Sequence, residues 1–323
     1  MTSQDVLGLK VVVIAGGWSD EKEISLDSGR ACQKALTEAG FVGVDLLDPA
    51  DDGFESKLAN GGYDVAFVAM HGHYGEDGCI QGLLEILHMP YTFSGVLGSA
   101  VSTEKEVAKT LYSQAGIPTP CGTDVAPGTK LTDDDVDRIV NELGLPLFVK
   151  PAANGSSFGV TRVTSAAELP EAVERATAGG DRALIEECIT GTEITIPVIG
   201  NDNSKALPIV EIVTGAEFYN LKVKYEPSAM HHVIPARLEA GVYAHAQELA
   251  IRAHRALHCL GASRSDFIVR EDGTPVILET NTIPGMTENS LLPDSARHGG
   301  IEFPELCKMF VEYALEAHGK SEA

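Results

Sequence analysis

Toward its C-terminal end the chain carries "SRSDFIVREDGTPVILETN", which sets Arg264, Asp266, Glu279 and Asn281 in two extended runs on either side of Asp272-Gly273. Asp-Gly between apolar runs predicts a two-residue hairpin turn. That turn puts Asp266 opposite Glu279 and Arg264 opposite Asn281. Side chains alternate along a strand, so these four project from one face while Phe267, Val269, Val276 and Leu278 cover the other. Two carboxylates facing each other about 5 Å apart repel and weaken the strand pair unless something neutralises them. Carboxylate and amide oxygens are hard donors of the kind Mg2+ takes, with water and substrate phosphates completing its shell. The alternative is an exposed salt-bridge cluster in which Arg264 answers the carboxylates.

A second stretch, "VKPAANGSSFGV", places Lys150 at a strand end and then a loop running from Gly155 through Ser156, Ser157 and Phe158 to Gly159. Glycines let backbone N–H groups converge on an anion and the serines add hydroxyl donors, so the loop can cradle phosphates. It lacks the G-K-[ST] of a P-loop. Nor does "AGGWSDEKEIS" satisfy the dinucleotide fingerprint G-x-G-x-x-G, which argues against a dinucleotide-dependent oxidoreductase. Lys105, Lys150, Lys222, Lys224 and Arg264 all fall in or near these segments. The formal net charge is −23, so an anionic substrate requires such a local gathering of cations. The same acidity argues against nucleic acid or an anionic membrane as a partner.

The elements that must position these residues follow from the pattern. "LKVVVIAGG" and "DVAFVAMHG" are buried strands running into glycine loops, and "SLDSGRACQKALTEAG" is a helix closed by Gly40. An open parallel α/β layer over about the first hundred residues is predicted. Ligands of such sheets gather at the strand C-termini, where Glu21, His71 and Glu76 lie. From Leu145 the order of strands and hairpins changes to an antiparallel α+β unit. A further unit holds the long helix "AHAQELAIRAHRALHCLG" and the carboxylate hairpin. At 323 residues and 44% hydrophobic content the chain affords two or three domains. No apolar run spans a membrane and no signal peptide is legible, so membrane insertion is not expected and a cytoplasmic location is. The six scattered cysteines predict buried free thiols.

Taken together, "HGHYGEDGCIQGLLE", "VKPAANGSSFGV", "KVKY", "SRSDFIV" and "LETNTIPGMTENSLLP" stand in the order and spacing of the ATP-grasp superfamily, and within it the chain resembles the D-alanine–D-alanine ligases over essentially its whole length. The resemblance implies an N-terminal α/β domain with an open parallel sheet (1–103). Two α+β domains, 104–190 and 191–323, follow it and form the ATP-grasp fold. It implies ATP-dependent ligation of two D-alanines through a D-alanyl phosphate, for peptidoglycan precursor synthesis. Phosphates would be held by Lys105, Lys150, Ser156, Ser157 and Lys224, and adenosine by the hinge around Glu186, Glu187, Ile189 and Glu193. Mg2+, as two ions with Mn2+ as a substitute, would sit on Asp266, Glu279 and Asn281. The first D-alanine would lie at Glu21 and His71, and the carboxylate of the second at Ser290 and Leu291. Tyr225 and Ser156 would link a closing lid, 217–238, to Glu21, while Arg264 and the Gly285 N–H stabilise the oxyanion. A homodimer through the first domain is implied as well. Trp18, Asn154 and Phe158 depart from the family's usual residues. The alternatives are an acceptor other than D-alanine, such as D-lactate, D-serine or another amino acid, and a non-catalytic nucleotide-binding regulator.

Overall fold

The computed structural model describes residues 6–152, 159–214 and 230–321. Its first layer is the expected parallel sheet, order β2-β1-β3, from β1 (Lys10–Ile14), β2 (Gly43–Leu47) and β3 (Val65–Val68). The apolar run of β1 is buried from Val11 to Ile14, as a central parallel strand covered on both faces must be. Helix α1 (Lys22–Ala39) stops at Gly40, whose left-handed φ of 104° lets its N–H turn back to the Leu36 and Thr37 carbonyls. Helices α2 (Phe54–Asn60), α3 (Cys79–Ile86) and α4 (Val96–Thr103) complete this part.

A second sheet, antiparallel in the order β4-β7-β5-β6, uses β4 (Gly122–Val125), β5 (Leu147–Pro151), β6 (Thr161–Val163) and β7 (Ala183–Glu187). Helices α6 (Asp133–Leu143) and α7 (Leu169–Thr177) join Val149 and Ile185 in a core on one face. Alternation therefore turns Phe148, Lys150 and Glu186 to the other.

The third sheet runs β11-β10-β8-β12-β13, from β8 (Thr192–Ile199), β10 (Val210–Thr214), β11 (Met230–Val233), β12 (Ala262–Val269) and β13 (Pro275–Asn281), with β9 (Lys205–Ala206) also paired to β8. Its apolar face, including Ile194, Ile196 and Phe267, packs on α5 (Lys105–Gln114) and α8 (Ala240–Ala256). The chain closes with α9 (Leu291–His298) and α10 (Phe303–Ser321). α10 returns to the first sheet, where Phe310 meets Phe93 with ring centroids 5.1 Å apart.

The β12–β13 hairpin departs from expectation in an instructive way. Its turn has three residues, Glu271 to Gly273: the Arg270 N–H donates to Thr274 O at 2.9 Å, and Gly273 takes a φ of 83°. The Asp-Gly pair fills the last two positions of a turn that needs a left-handed residue at its end. Beyond it the register is one residue off, so Phe267 faces Ile277, and Ile277 rather than Val276 or Leu278 joins Phe267 and Val269 in the core. A β-bulge between Asp266 and Phe267 then restores Asp266 opposite Glu279 and Arg264 opposite Asn281. The long helix also begins and ends earlier than its sequence pattern suggested, capped by the Glu239 carboxylate on the N–H groups of Gly241 and Val242. The cysteines divide: Cys32, Cys259 and Cys307 are buried, whereas Cys79 and Cys121 are exposed because they lie at a helix start and a strand entrance.

Candidate functional site

The polar face of the third sheet is acidic. β8 pairs with β12 so that Thr195 lies beside Asp266 and Glu193 beside Ile268, and β13 brings Glu279 to the far side of Asp266. Thr195 Oγ1 donates to Asp266 Oδ1 at 2.5 Å. Arg264, a residue 9% exposed, donates from Nε and Nη2 to the two Asp266 oxygens at 3.2 and 3.1 Å. This pairing matches the alternative weighed above in its partners, but not in its setting, because the arginine is buried rather than solvated. Burial and then the negative charge of Asp266 push the Glu193 carboxyl up to about 7.

Asp266, Glu279 and Asn281 offer two carboxylates and one amide carbonyl on this face, and Asn281 Oδ1 already accepts one bond, from the Ile283 N–H at 2.9 Å. Among the described residues no group of three or more His, Cys, Asp or Glu is arranged to hold a metal by itself. An open set of hard oxygens is nonetheless what Mg2+ accepts when phosphates supply the rest. The donor set fits.

The polar face of the second sheet is built around one buried anion with two cations. Glu186, 3% exposed, is paired with Lys109 through Oε1 and with Lys150 through Oε2, the latter at 2.6 Å. Burial alone raises this carboxyl, but the two ammonium groups outweigh it and hold the group below the usual carboxylate range. Lys109 was not singled out in the sequence, although "KEVAK" sets it one helical turn after Lys105 and therefore on the same side of α5. From that helix Lys105 reaches Glu279 Oε2 at 3.5 Å while Lys109 reaches Glu186. One helix thus bridges the polar faces of two sheets. At the hinge between them, Glu187 Oε1 accepts from the Cys121 N–H at 2.9 Å and from Arg270 at 3.0 Å, and Ile189 is buried.

The loops of the first sheet meet this assembly from the side. Glu21 stands immediately before α1, without a side-chain bond to the helix N-terminus, and its carboxylate lies so close over Gly72 that a Cβ there would stand 3.0 Å from Oε2. Ser19 Oγ donates to the His71 carbonyl at 2.7 Å, which ties the two loops together. His71 is buried, with Nε2 3.0 Å from Ser28 Oγ, and that hydroxyl accepts the Met286 N–H at 3.3 Å. Ser28, unremarked in the sequence, therefore joins the Glu21–His71 corner to the segment holding Gly285 and Ser290. Ser290 stands immediately before α9, which starts at Leu291, and its Oγ would lie 3.0 Å from a Cβ added at Gly285. Trp18 is 62% exposed and packs edge-on against Tyr74, with centroids 5.6 Å apart. Ser156, Ser157, Lys222, Lys224 and Tyr225, with Asn154 and Phe158, lie outside the described residues. So does most of the expected lid, whose described part, 230–238, starts with strand β11 and leaves it after Val233.

Comparison with known proteins meets this geometry. Residues 111–312 match the family model described as "D-ala D-ala ligase C-terminus", and residues 48–94 match "D-ala D-ala ligase N-terminus". The chain belongs to the D-alanine–D-alanine ligase family. A D-alanine–D-alanine ligase of Syntrophobacter fumaroxidans is 45% identical, the match covering 95% of this chain and 98% of that protein. Another, of Desulforamulus reducens, is 42% identical over 96% of this chain and 100% of its own length. The crystal structure of the Bacillus anthracis D-alanine–D-alanine ligase complexed with ATP superposes with a TM-score of 0.83 at 31% identity, covering 97% of this chain and 100% of that one. Membership in this ligase family accounts for the three-sheet architecture and for the ATP-grasp arrangement of the second and third sheets.

Proposed function

We propose that the protein joins two D-alanines to D-alanyl-D-alanine at the expense of ATP, through a D-alanyl phosphate, in peptidoglycan precursor synthesis. The observation that carries this is the continuity of the site: His71, in a loop of the first sheet, is bonded through Ser28 to the segment that follows the Arg264–Asp266–Glu279 cluster, and Ser19 ties Glu21 to His71 by accepting the Glu21 N–H and donating to the His71 carbonyl. A pocket for an amino acid and a face for a nucleotide are thereby one place.

A carboxylate is a poor electrophile, and transfer of the γ-phosphoryl group makes it one with a good leaving group. Such transfer needs charge neutralisation and alignment more than covalent help. Lys105 and Lys150 would supply cations to the phosphates, and the hinge of Glu186, Glu187, Ile189 and Glu193 would hold adenosine. Asp266, Glu279 and Asn281 would hold Mg2+, two ions with Mn2+ able to replace them, which supplies neutralising charge at the phosphate oxygens when bound. Glu21 and His71 would orient the first D-alanine. The carboxylate of the second would meet the N-terminus of α9 at Ser290 and Leu291, where the helix dipole favours an anion. Arg264, held flat against Asp266 by two hydrogen bonds, would face the oxyanion together with the Gly285 N–H.

The divisions 1–103, 104–190 and 191–323 serve as the three domains in this scheme, although α5 packs on the third sheet and α10 on the first. Among the described residues no helix is long and apolar enough to cross a membrane; a cytoplasmic location is part of the proposal. Exposed Ile86, Val96 and Leu97 on α3 and α4 support a homodimer through the first domain. The test is phosphate release with ATP and Mg2+ while D-alanine, L-alanine, D-serine and D-lactate are offered in turn. Release with D-alanine, matched by dipeptide, is expected; release with none of them, or only with another acceptor, rejects the proposal.

A further inference from the structure

We propose that Lys109 is a positioning residue for the nucleotide: by neutralising Glu186 it frees Lys150 to pass from that carboxylate to the phosphates of ATP. The inference rests on Lys150 being a phosphate-binding lysine, and extends it to a residue that makes no contact with phosphate itself.

The geometry poses the problem that Lys109 solves. Lys150 Nζ stands 2.6 Å from Glu186 Oε2, within a strong charge-assisted bond. For that ammonium to serve phosphate it must give this bond up. Glu186 is almost fully buried, and a buried carboxylate that loses its only counter-charge is left at a heavy cost. With a single lysine, the carboxylate would hold it against the nucleotide. Lys109 removes that competition because it sits on the other oxygen of the same carboxylate, and its own position is fixed from α5 by a further hydrogen bond from Nζ to the Pro120 carbonyl at 3.2 Å. Two cations on one anion leave one positive charge over. The leftover charge belongs to the strand residue at the polar face, while the helix residue stays behind. Burial lowers the affinity of the Lys109 ammonium for its proton and Glu186 opposes this, so the pair is mutually dependent.

Calorimetric titration with ATP and Mg2+, and separately with adenosine, tests this on the wild type, Lys109→Met, Lys109→Arg, Glu186→Gln and the double variant Lys109→Met/Glu186→Gln. Lys109→Met is expected to weaken ATP roughly tenfold or more, the loss of one charge-assisted bond, while adenosine stays within about twofold and Lys109→Arg binds ATP like the wild type. In the Glu186→Gln background the Lys109→Met penalty should shrink to less than about threefold, because Lys150 is no longer held. Thermal unfolding confirms that each variant is folded, and Lys109→Gln carries the same comparison if the methionine variant is not. Unchanged ATP affinity in Lys109→Met, equal losses for ATP and adenosine, or the same penalty in both backgrounds overturns the proposal. A folded wild type that binds neither ATP nor adenosine overturns the nucleotide site itself.

Discussion

The second and third sheets are both antiparallel, each with helices on one face and polar side chains on the other, yet those polar faces carry opposite chemistry. The third sheet collects Glu193, Asp266 and Glu279 with one buried arginine. The second collects Lys150 and, from α5, Lys109 about a single carboxylate. In the proposed scheme one wall would be completed by cations and the other would give a cation away. On a chain with a net charge of −23, an anionic substrate is best admitted between such walls, because the bulk field repels it and only the local one attracts.

The comparison is broken most severely at Arg264, the cation of the acidic wall. Arg264→Met is expected to lower the rate of dipeptide formation by about 100- to 1000-fold, as loss of an oxyanion donor does, with ATP affinity little changed. A loss confined to ATP affinity in single-turnover assays would place the guanidinium on the phosphates instead. On the basic wall, Lys150→Met should raise the Kd for ATP roughly 10- to 100-fold, since a charge-assisted bond to phosphate is lost. It should leave adenosine untouched. The third effect is smaller: Glu279→Gln keeps the shape of the acidic wall but removes one charge, and the Mg2+ concentration at half-maximal activity should rise about tenfold. An unchanged midpoint would remove Glu279 from the ligand set.

How far each wall could be read in advance follows from how local its signals are. The acidic face was legible because one hairpin carries Arg264, Asp266, Glu279 and Asn281, and strand alternation alone assigns them a common side. Even there two errors cancelled: the turn holds three residues, not two, and a bulge after Asp266 restores the pairing. A bulge leaves no strong mark in a single sequence, since Leu278 is as apolar as its neighbours. The basic face was half legible. Lys150 announced itself by standing before a glycine-serine loop, but Glu186 and Lys109 become partners only when α5 crosses from one sheet to the other, a contact between residues far apart in the chain. Ser28 escaped for the same reason, being an ordinary helix serine until His71 and Met286 converge on it. Parallel order in the first sheet, by contrast, followed from buried strands alternating with helices.

The back of the acidic wall offers a control that separates stability from chemistry. His254 of α8 is fully buried, its Nδ1 2.8 Å from Ser263 Oγ, one residue before Arg264 on the opposite face, and its Nε2 3.2 Å from Gly200 O. Burial above all pushes the imidazole down to about 4, from an ordinary 6.5. The folded chain therefore keeps His254 neutral where the unfolded chain takes up a proton. The associated stability is complete above 6.5 and is lost as the pH falls toward 4. From the ordinary value down to about pH 5.5 the loss from this group is about 1 kcal/mol. Denaturant unfolding of the wild type and of His254→Gln over this interval should show the wild type losing that much more. Equal slopes would mean that the imidazole is charged in the folded chain, and the wall that carries Arg264 and Asp266 would then have a cation buried directly behind it.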